Sequence, residues 1–282
     1  MRRLVDRLFR LATGLCALGA LGLLTAIAFT LVARGLPALG RGSAGSTVGA
    51  SLGLGGVLYP FLGTLLLVMT ALLVATPLAT ALALLESVYL RGGARRALRI
   101  WLYVANAVPS ILFGIFGLLF FVMFLDWGKS WLAGGIVLGL MILPTITVSL
   151  AERIAALPTR YRRAAAGLGL TRSQIIWAVL LPQSWGGLVS GALLGLARAA
   201  GETAPIMFTA VVFAGATLPD GVRDSPVLAL PYHIFVLAQD SFDPAAQIQL
   251  WAAASVLLAL VFGLSLLTLP VRLRLSEEAR NG

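Results

Sequence analysis

Six stretches of the chain are apolar almost without interruption for about 20 positions, and polar and charged residues gather between them. They fall near residues 11–32, 57–85, 100–125, 131–150, 186–213 and 248–269 of the 282. A helix rises about 1.5 Å per residue and the hydrocarbon of a bilayer is about 30 Å thick, so each stretch can cross it. The pattern predicts an all-α integral membrane protein with six transmembrane helices. The fourth stretch is the weakest, being short and interrupted by Pro144, although membrane helices tolerate proline where neighbours satisfy the freed backbone. The chain then divides into a tail at 1–10, a first span at 11–32, a Gly/Ser-rich loop at 33–56, a five-span core at 57–269 with a long connection at 151–185, and a tail at 270–282.

Composition removes most other classes of function. Hydrophobic residues are 59% of the chain and charged residues 11%, with a mean hydropathy of +0.97. The net charge of +10 invites nucleic acid, but the basic residues form no continuous surface interleaved with aromatics. One cysteine, Cys16, and one histidine, His233, leave no material for a disulfide, a metal cluster or a catalytic triad. No residue reads as catalytic and no metal site is predicted.

Charge sets the orientation. Arg2, Arg3, Arg7 and Arg10 precede the first span; Arg91, Arg95, Arg96 and Arg99 follow the second; Arg153, Arg160, Arg162, Arg163 and Arg172 follow the fourth; Arg272, Arg274 and Arg280 follow the sixth. These alternate connections hold most of the 21 basic residues. Cytoplasmic loops retain positive charge, so both termini are predicted to be cytoplasmic in a multi-pass protein of the bacterial inner membrane. Trp101, Trp127, Trp131, Trp177 and Trp185 fall near span ends, where amphipathic rings prefer the headgroup zone. The first span is longer than the 7–15 apolar residues of a signal peptide and reads as retained. The external loop holds GRGSAGST at 40–47, with the glycine spacing of a phosphate-binding loop, but Ser46 stands where the lysine is needed and no strand precedes it.

The connection AERIAALPTRYRRAAAGLGLTRSQIIWAVLLP, beginning at Ala151, is too alanine-rich for an unstructured linker. Short helices broken near residues 167–169 are predicted, with Gly169 at the turn, Thr171 and Gln174 forming a capping box, and Pro182 ending or bending the helix as the chain re-enters the membrane. Five arginines suit a helix lying on acidic headgroups as well as they suit a rigid knob that docks a partner.

The fifth stretch contains LARAAGETAP, which puts Arg198 and Glu202 inside apolar sequence. Charges at the bilayer centre cost roughly 2.5–3.5 kcal/mol on insertion scales and face a bundle interior. Four residues apart, the two share a helical face. Either the pair is a structural ion pair that fixes helix rotation, or the guanidinium fork of Arg198 receives an oxyanion, with Glu202 holding it ready and Thr203 adding a hydroxyl. Ser190, Gly191 and Gly195 keep this helix slim for close packing.

The long connection resembles the EAA loop of ABC importer permeases, whose pattern is E-A-A, three residues, Gly, nine residues, I, one residue, L-P. Ala164, Ala165, Gly169, Leu181 and Pro182 match, Val179 stands for isoleucine, and Arg163 replaces the glutamate. The strings LARAAGETAPIMFTA, GTLLLVMTALLVATPLATALALLESVYL and NAVPSILFGIFGL are similar to PstA-type permease subunits of bacterial phosphate importers, in the expected order across residues 57–214. The resemblance implies a type I importer fold and ATPase coupling through Glu152, Arg163, Ala164, Ala165, Gly169, Leu181 and Pro182. It also implies three kinds of partner: a second, PstC-like permease, two copies of a PstB-like ATPase and an external PstS-like phosphate-binding protein. No cofactor is expected on this chain, ATP and Mg²⁺ being used by the ATPase. Another oxyanion such as sulfate, a non-conducting regulatory scaffold, or a membrane enzyme using Glu202 remain alternatives.

Lesser candidates read more simply. Asn106, Pro109 and Ser110 line a path or relax the third span, packing being favoured; Glu86 reads as a solvated loop carboxylate; His233 falls in an external amphipathic segment between spans five and six.

Overall fold

The computed structural model describes residues 2–41, 56–212, 219, 221–239 and 242–281. The helices run in the order α1 (Arg2–Arg41), α2 (Leu58–Leu84), α3 (Gly92–Ala107), α4 (Ser110–Gly117), α5 (Trp131–Ala156), α6 (Thr159–Gly167), α7 (Arg172–Ile175), α8 (Leu181–Ala200), α9 (Ala204–Thr209), α10 (Leu230–Gln239) and α11 (Pro244–Asn281). Three π-helical turns interrupt or extend them, at Leu85–Tyr89, Leu118–Phe124 and Ile176–Leu180. The loop motif at 40–47 lies almost wholly outside the described residues.

Five segments are long and apolar enough to cross a membrane: Phe9–Gly40, Leu58–Tyr89, Trp131–Ala156, Arg172–Ala200 and Pro244–Leu267. The sixth is a bent pair, Gly92–Ala107 and Ser110–Phe124, whose axes meet at 91°. The third span read from hydropathy at 100–125 is therefore two helices that start at Gly92 and bend at Val108 and Pro109. Pro109 disfavours a helical conformation at the residue before it, and Val108 is extended with φ −63° and ψ 130°. Helix α3 also starts earlier than residue 100, taking Arg95, Arg96 and Arg99 onto its polar face.

The weakest span in the sequence is the centre of the bundle. Helix α5 continues to Ala156, Pro144 does not break it, and 67% of its most apolar window is buried. Its glycines explain the closeness: a Cβ on Gly135 would stand 2.5 Å from the Thr70 side chain of α2, and one on Gly134 would stand 2.3 Å from Ala210 Cβ. On the other face α8 approaches through Gly187, Gly191 and Gly195, one helical turn apart, against Arg153, Ser149 and Ile142 of α5. Small residues let backbones meet in lipid, where no hydrophobic force drives helices together. The Ser149 hydroxyl donates to the Gly187 carbonyl at 3.0 Å across this seam. The main core accordingly lies between α2, α5 and α8, around Leu67, Met141, Ile142, Ile146, Leu150 and Ile154.

The long connection is helical as expected, with one change of boundary. Helix α6 spans the alanines, Gly169 has φ +74°, and Thr171 with Gln174 makes the full capping box. Pro182 neither ends nor breaks the next helix. It follows the π-helical turn at Ile176–Leu180 as an early residue of α8, and the helical path runs from Arg172 to Ala200. A π turn widens the helix and relieves the clash between a proline ring and the carbonyl four residues back. The fifth span therefore starts near 172 rather than 186 and ends at 200 rather than 213. Likewise α1 extends beyond residues 11–32 and α11 continues beyond 269 through Pro270.

The two ends of α5 differ in character. At its start, Ser130 N–H donates to the Thr209 carbonyl at 2.9 Å and the Trp131 indole to the Gly221 carbonyl at 2.8 Å. At the other end the basic connections after α2 and after α5 come together: Arg91 and Arg95 line one cavity with Arg162 and Arg172. Sequence charge grouped these arginines on one side, and the fold puts them at one end.

Candidate functional site

Arg198 lies in the last turn of α8, where the negative end of the helix dipole favours a cation. The helix stops at Gly201, whose N–H donates to the Arg198 carbonyl at 3.1 Å, and Glu202 follows outside it. Glu202 is thus not on the helical face assigned to it from the sequence. The ion pair forms all the same: Arg198 Nε is 3.6 Å from Glu202 Oε1, beyond hydrogen-bond reach. Both side chains are partly open, at 32% and 19% exposure.

A stronger partner comes from α3, supported in turn by α5. Arg198 Nη1 donates to Asn106 Oδ1 at 2.8 Å, and the Thr145 hydroxyl donates to the same oxygen at 2.9 Å. Asn106 stands one residue before the end of α3, beside the 91° bend. Thr145 follows Pro144 in the middle of α5. The constellation therefore joins the ends of α3 and α8 to the centre of the buried helix, and its geometry is set by the glycine seam between α5 and α8. Asn106 is a ligand of Arg198, which corrects the packing role favoured for it. Thr145 was not legible as a candidate at all. The only sequence signal for either is a polar side chain in an apolar run.

Two donors on one amide oxygen fix that oxygen toward Arg198. With Nη1 on Asn106 and Nε facing Glu202, no bond is recorded for Nη2 among the described residues. A partly exposed guanidinium edge held in this way can donate to an oxyanion, and the loose ion pair with Glu202 can open without disturbing the hydrogen bond to Asn106. Thr203, the residue before α9, makes no side-chain bond to its helix, and the structure records none between its hydroxyl and Arg198. Immediately beside the cluster, Ala105 and Pro144 line an apolar groove of about 620 Å³ beneath the α3–α4 bend.

The residues read as an ATPase dock are arranged differently from one another. Arg163 and Ala164 are exposed on α6, Ala165 is buried beneath them, and Leu168 is 81% exposed at the turn before Gly169. Glu152 is exposed near the end of α5, and Leu181 and Pro182 sit at the start of α8. Exposed residues continue from α6 through its turn to Gln174.

Glu86 is corrected outright. It is 1% exposed rather than solvated, sits in the π-helical turn after α2, and accepts from Arg99 Nε at 2.8 Å and again from Arg99 Nη2, with Arg95 Nε at 3.8 Å. His233 is buried on α10, which packs on α11 and α2.

Comparison with known proteins agrees with this architecture. Residues 75–273 match the family model of the binding-protein-dependent transport system inner membrane component. The chain is 34% identical over 213 residues to phosphate transport system permease protein PstA 2 of Mycobacterium bovis, covering 76% of this chain and 69% of that protein. It is 30% identical over 281 residues to the probable phosphate transport system permease protein PstA of Methanocaldococcus jannaschii, covering 99% and 97%. Among solved structures, a chain of the inward facing MetNI methionine ABC transporter superposes with a TM-score of 0.57 at 16% identity, covering 80% of this chain and 95% of that one. That likeness carries the fold, the type I permease fold of ABC importers. With the family model spanning the helices that build the Arg198 cluster, this chain belongs to the binding-protein-dependent transport system inner membrane components.

Proposed function

We propose that this chain is the transmembrane permease subunit of an ATP-driven importer for inorganic phosphate. The observation that carries the reading is the Arg198 guanidinium, hydrogen-bonded to Asn106 and about one third exposed, in a chain similar along nearly its whole length to a probable phosphate permease. A phosphate that has shed water needs convergent donors, and the fork of arginine provides two in fixed geometry. Arg198 meets the anion, Glu202 balances the charge when the path is empty, and Thr203 supplies a hydroxyl nearby.

In this reading the chain holds no cofactor, and ATP with Mg²⁺ is used by a separate cytoplasmic ATPase. Two copies of that ATPase dock on this subunit and a homologous, PstC-like partner, while a PstS-like protein delivers phosphate from outside. Both termini face the cytoplasm. The exposed turn of α6, around Arg163, Ala164, Leu168 and Gly169, takes the ATPase, and Glu152, Ala165, Leu181 and Pro182 carry its movement into α5 and α8. One arginine is thin compensation for a dianion, so the second permease contributes further positive charge.

The test is uptake of radiolabelled phosphate into proteoliposomes by the complex assembled with its matching partners. Arg198→Ala lowers uptake by about 10- to 100-fold, the scale of one or two charge-assisted hydrogen bonds. Uptake equal to that of the parent at equal abundance overturns the reading. Sulfate in excess leaves phosphate uptake intact if the cargo is phosphate and abolishes it if the site takes any tetrahedral oxyanion. Purification that recovers no ATPase removes the importer altogether.

A further inference from the structure

A second concentration of positive charge lies far from Arg198 along the bundle. Arg91, Arg95, Arg162 and Arg172 line a cavity of about 390 Å³ between the end of α2, the start of α3 and the α6–α7 turn, with Ser87 and Leu180 in its wall. Arg91 and Arg172 are exposed at its mouth, and Arg95 and Arg162 are partly buried. Ser87 Oγ and Arg95 Nε are both buried with no hydrogen-bond partner. Leu180 is 1% exposed and packs in one cluster with Leu157 and Ile176, so the wall is part of the fold.

The local charge does not cancel. Glu86 is the acid nearest to these arginines in the recorded ion pairs, and its hydrogen bonds come from Arg99, outside the cavity; Arg95 reaches it only at 3.8 Å. Arg162 uses one terminal nitrogen on the Ile154 carbonyl at 3.3 Å. Helix α3, of 16 residues, opens on the same cavity: its flanking Arg91 supplies no cap and its first turn has no acidic residue. Its first amide groups are thus a further source of positive potential. Four guanidinium groups, an uncapped helix start and a buried hydroxyl without a partner all call for the same ligand chemistry: a compact anion with several acceptor oxygens.

We infer that this cavity binds a phosphate oxyanion, which bridges the α2–α3 junction to the α6–α7 turn. Neither side of the cavity can approach the other without bringing like charges together, and the anion removes that cost. A carboxylate offers two oxygens and one charge, too little for arginines on two separate segments, whereas a phosphate offers more of both. Two sources share this chemistry: free inorganic phosphate, and the headgroup phosphate of an acidic phospholipid, since basic pockets at the cytoplasmic ends of membrane helices suit such headgroups. The inference is independent of what Arg198 carries.

The experiment uses the complex of the permease pair with its ATPase, without the external binding protein and with Arg198→Ala throughout, so that neither that protein nor the path through the bundle contributes binding. It is reconstituted in discs of phosphatidylcholine alone or with added phosphatidylglycerol, and both bound ³²P-phosphate and co-purifying phosphatidylglycerol are measured. The double variant Arg91→Gln, Arg172→Gln loses about tenfold or more in affinity for whichever ligand occupies the cavity, while Arg96→Gln, on α3 but outside the cavity, loses none. Phosphate binding that is the same in both discs identifies the free ion; phosphate binding that disappears as phosphatidylglycerol is retained identifies the headgroup. Should the double variant assemble poorly, Ser87→Val removes the buried hydroxyl without removing charge and gives a smaller loss in the same direction. Unchanged binding in both variants overturns the inference, as does an equal loss in Arg96→Gln, which would mark a diffuse basic surface. Loss of the ATPase from the double variant with anion binding intact also overturns it, assigning the arginines to an acidic protein surface.

Discussion

Arg198 and Asn106, 92 positions apart, are joined by a 2.8 Å hydrogen bond in which the guanidinium donates to the amide oxygen. The contact ties the end of the helix entered through the α6–α7 turn to the bend between α3 and α4. A guanidinium oriented before an anion arrives loses less conformational freedom on binding it. Asn106→Leu keeps the volume and removes the acceptor, and should weaken phosphate transport about tenfold with Arg198 still present. Thr145→Val should have a smaller effect in the same direction. Proteoliposome uptake at matched protein abundance decides it; a full rate in Asn106→Leu would make the bond incidental.

The seam that places Arg198 is equally exposed to test. A Cβ on Gly191 would lie 2.8 Å from Ser149 Cβ and 3.1 Å from the Ile146 Cα. Backbone cannot step aside as a side chain can, so Gly191→Ala should destabilise by about 1–3 kcal/mol, the usual cost of overpacking. Thermal unfolding in detergent reads this directly. Trimming Ser149 to glycine in the same chain should return part of the loss, and no recovery would place the strain elsewhere.

Buried Glu86 makes a different prediction from a solvated loop carboxylate. Replacing it with leucine leaves Arg99 and Arg95 facing each other without an acid, and Glu86→Gln keeps an acceptor for Arg99. Leucine should therefore be the more damaging, by about 1–3 kcal/mol, the cost of stranding a buried polar partner. Equal melting temperatures for the two variants would count against the ion pair.

His233 links stability to pH. Burial lowers its imidazole from the ordinary 6.5 to about 4, so as pH falls the unfolded chain takes up this proton before the folded one does. The stability tied to His233 is complete above about 6.5 and declines toward about 4. Melting temperature followed across that window should fall less steeply in His233→Gln than in the parent. A profile that the substitution leaves unchanged would exclude His233 as its source. Because α10 lies between the spans and packs on α11 and α2, the effect is one of stability and not of transport.

What the sequence revealed, and what it hid, follows from the range of the interactions. Local devices were readable: the Thr171 and Gln174 capping box, the turn at Gly169 and the slim face of Gly191 and Gly195 depend on residues a few positions apart. Hydropathy counted the spans but could not trace their path, because it averages over windows longer than the two-residue break at Val108 and Pro109. Pro182 misled for a related reason. Its usual effect is to stop a helix, and only the wider turn just before it shows why this one continues. Glu86 and Asn106 are defined by partners on other helices, and a hydrophobic profile contains no information about partners. Arg198 and Glu202 were conspicuous by their cost in lipid, yet the hydrogen bond that holds Arg198 comes from Asn106, itself held by Thr145, two residues of no special character.

The π-helical turn at Ile176–Leu180 also acts as a phase setting for everything beyond it. It contains one residue more than the α-helical path it replaces, and each residue of an α-helix advances the azimuth by about 100°. Deleting a single residue there would restore unbroken α-helix and leave α8 in phase, whereas winding the surplus residue as ordinary α-helix would turn the whole of α8 by about 100°, so that its glycine face would leave α5 and Arg198 would point away from Asn106. The wide turn works like a spacer in a lock: it takes up the surplus residue so that every tooth that follows keeps its angle.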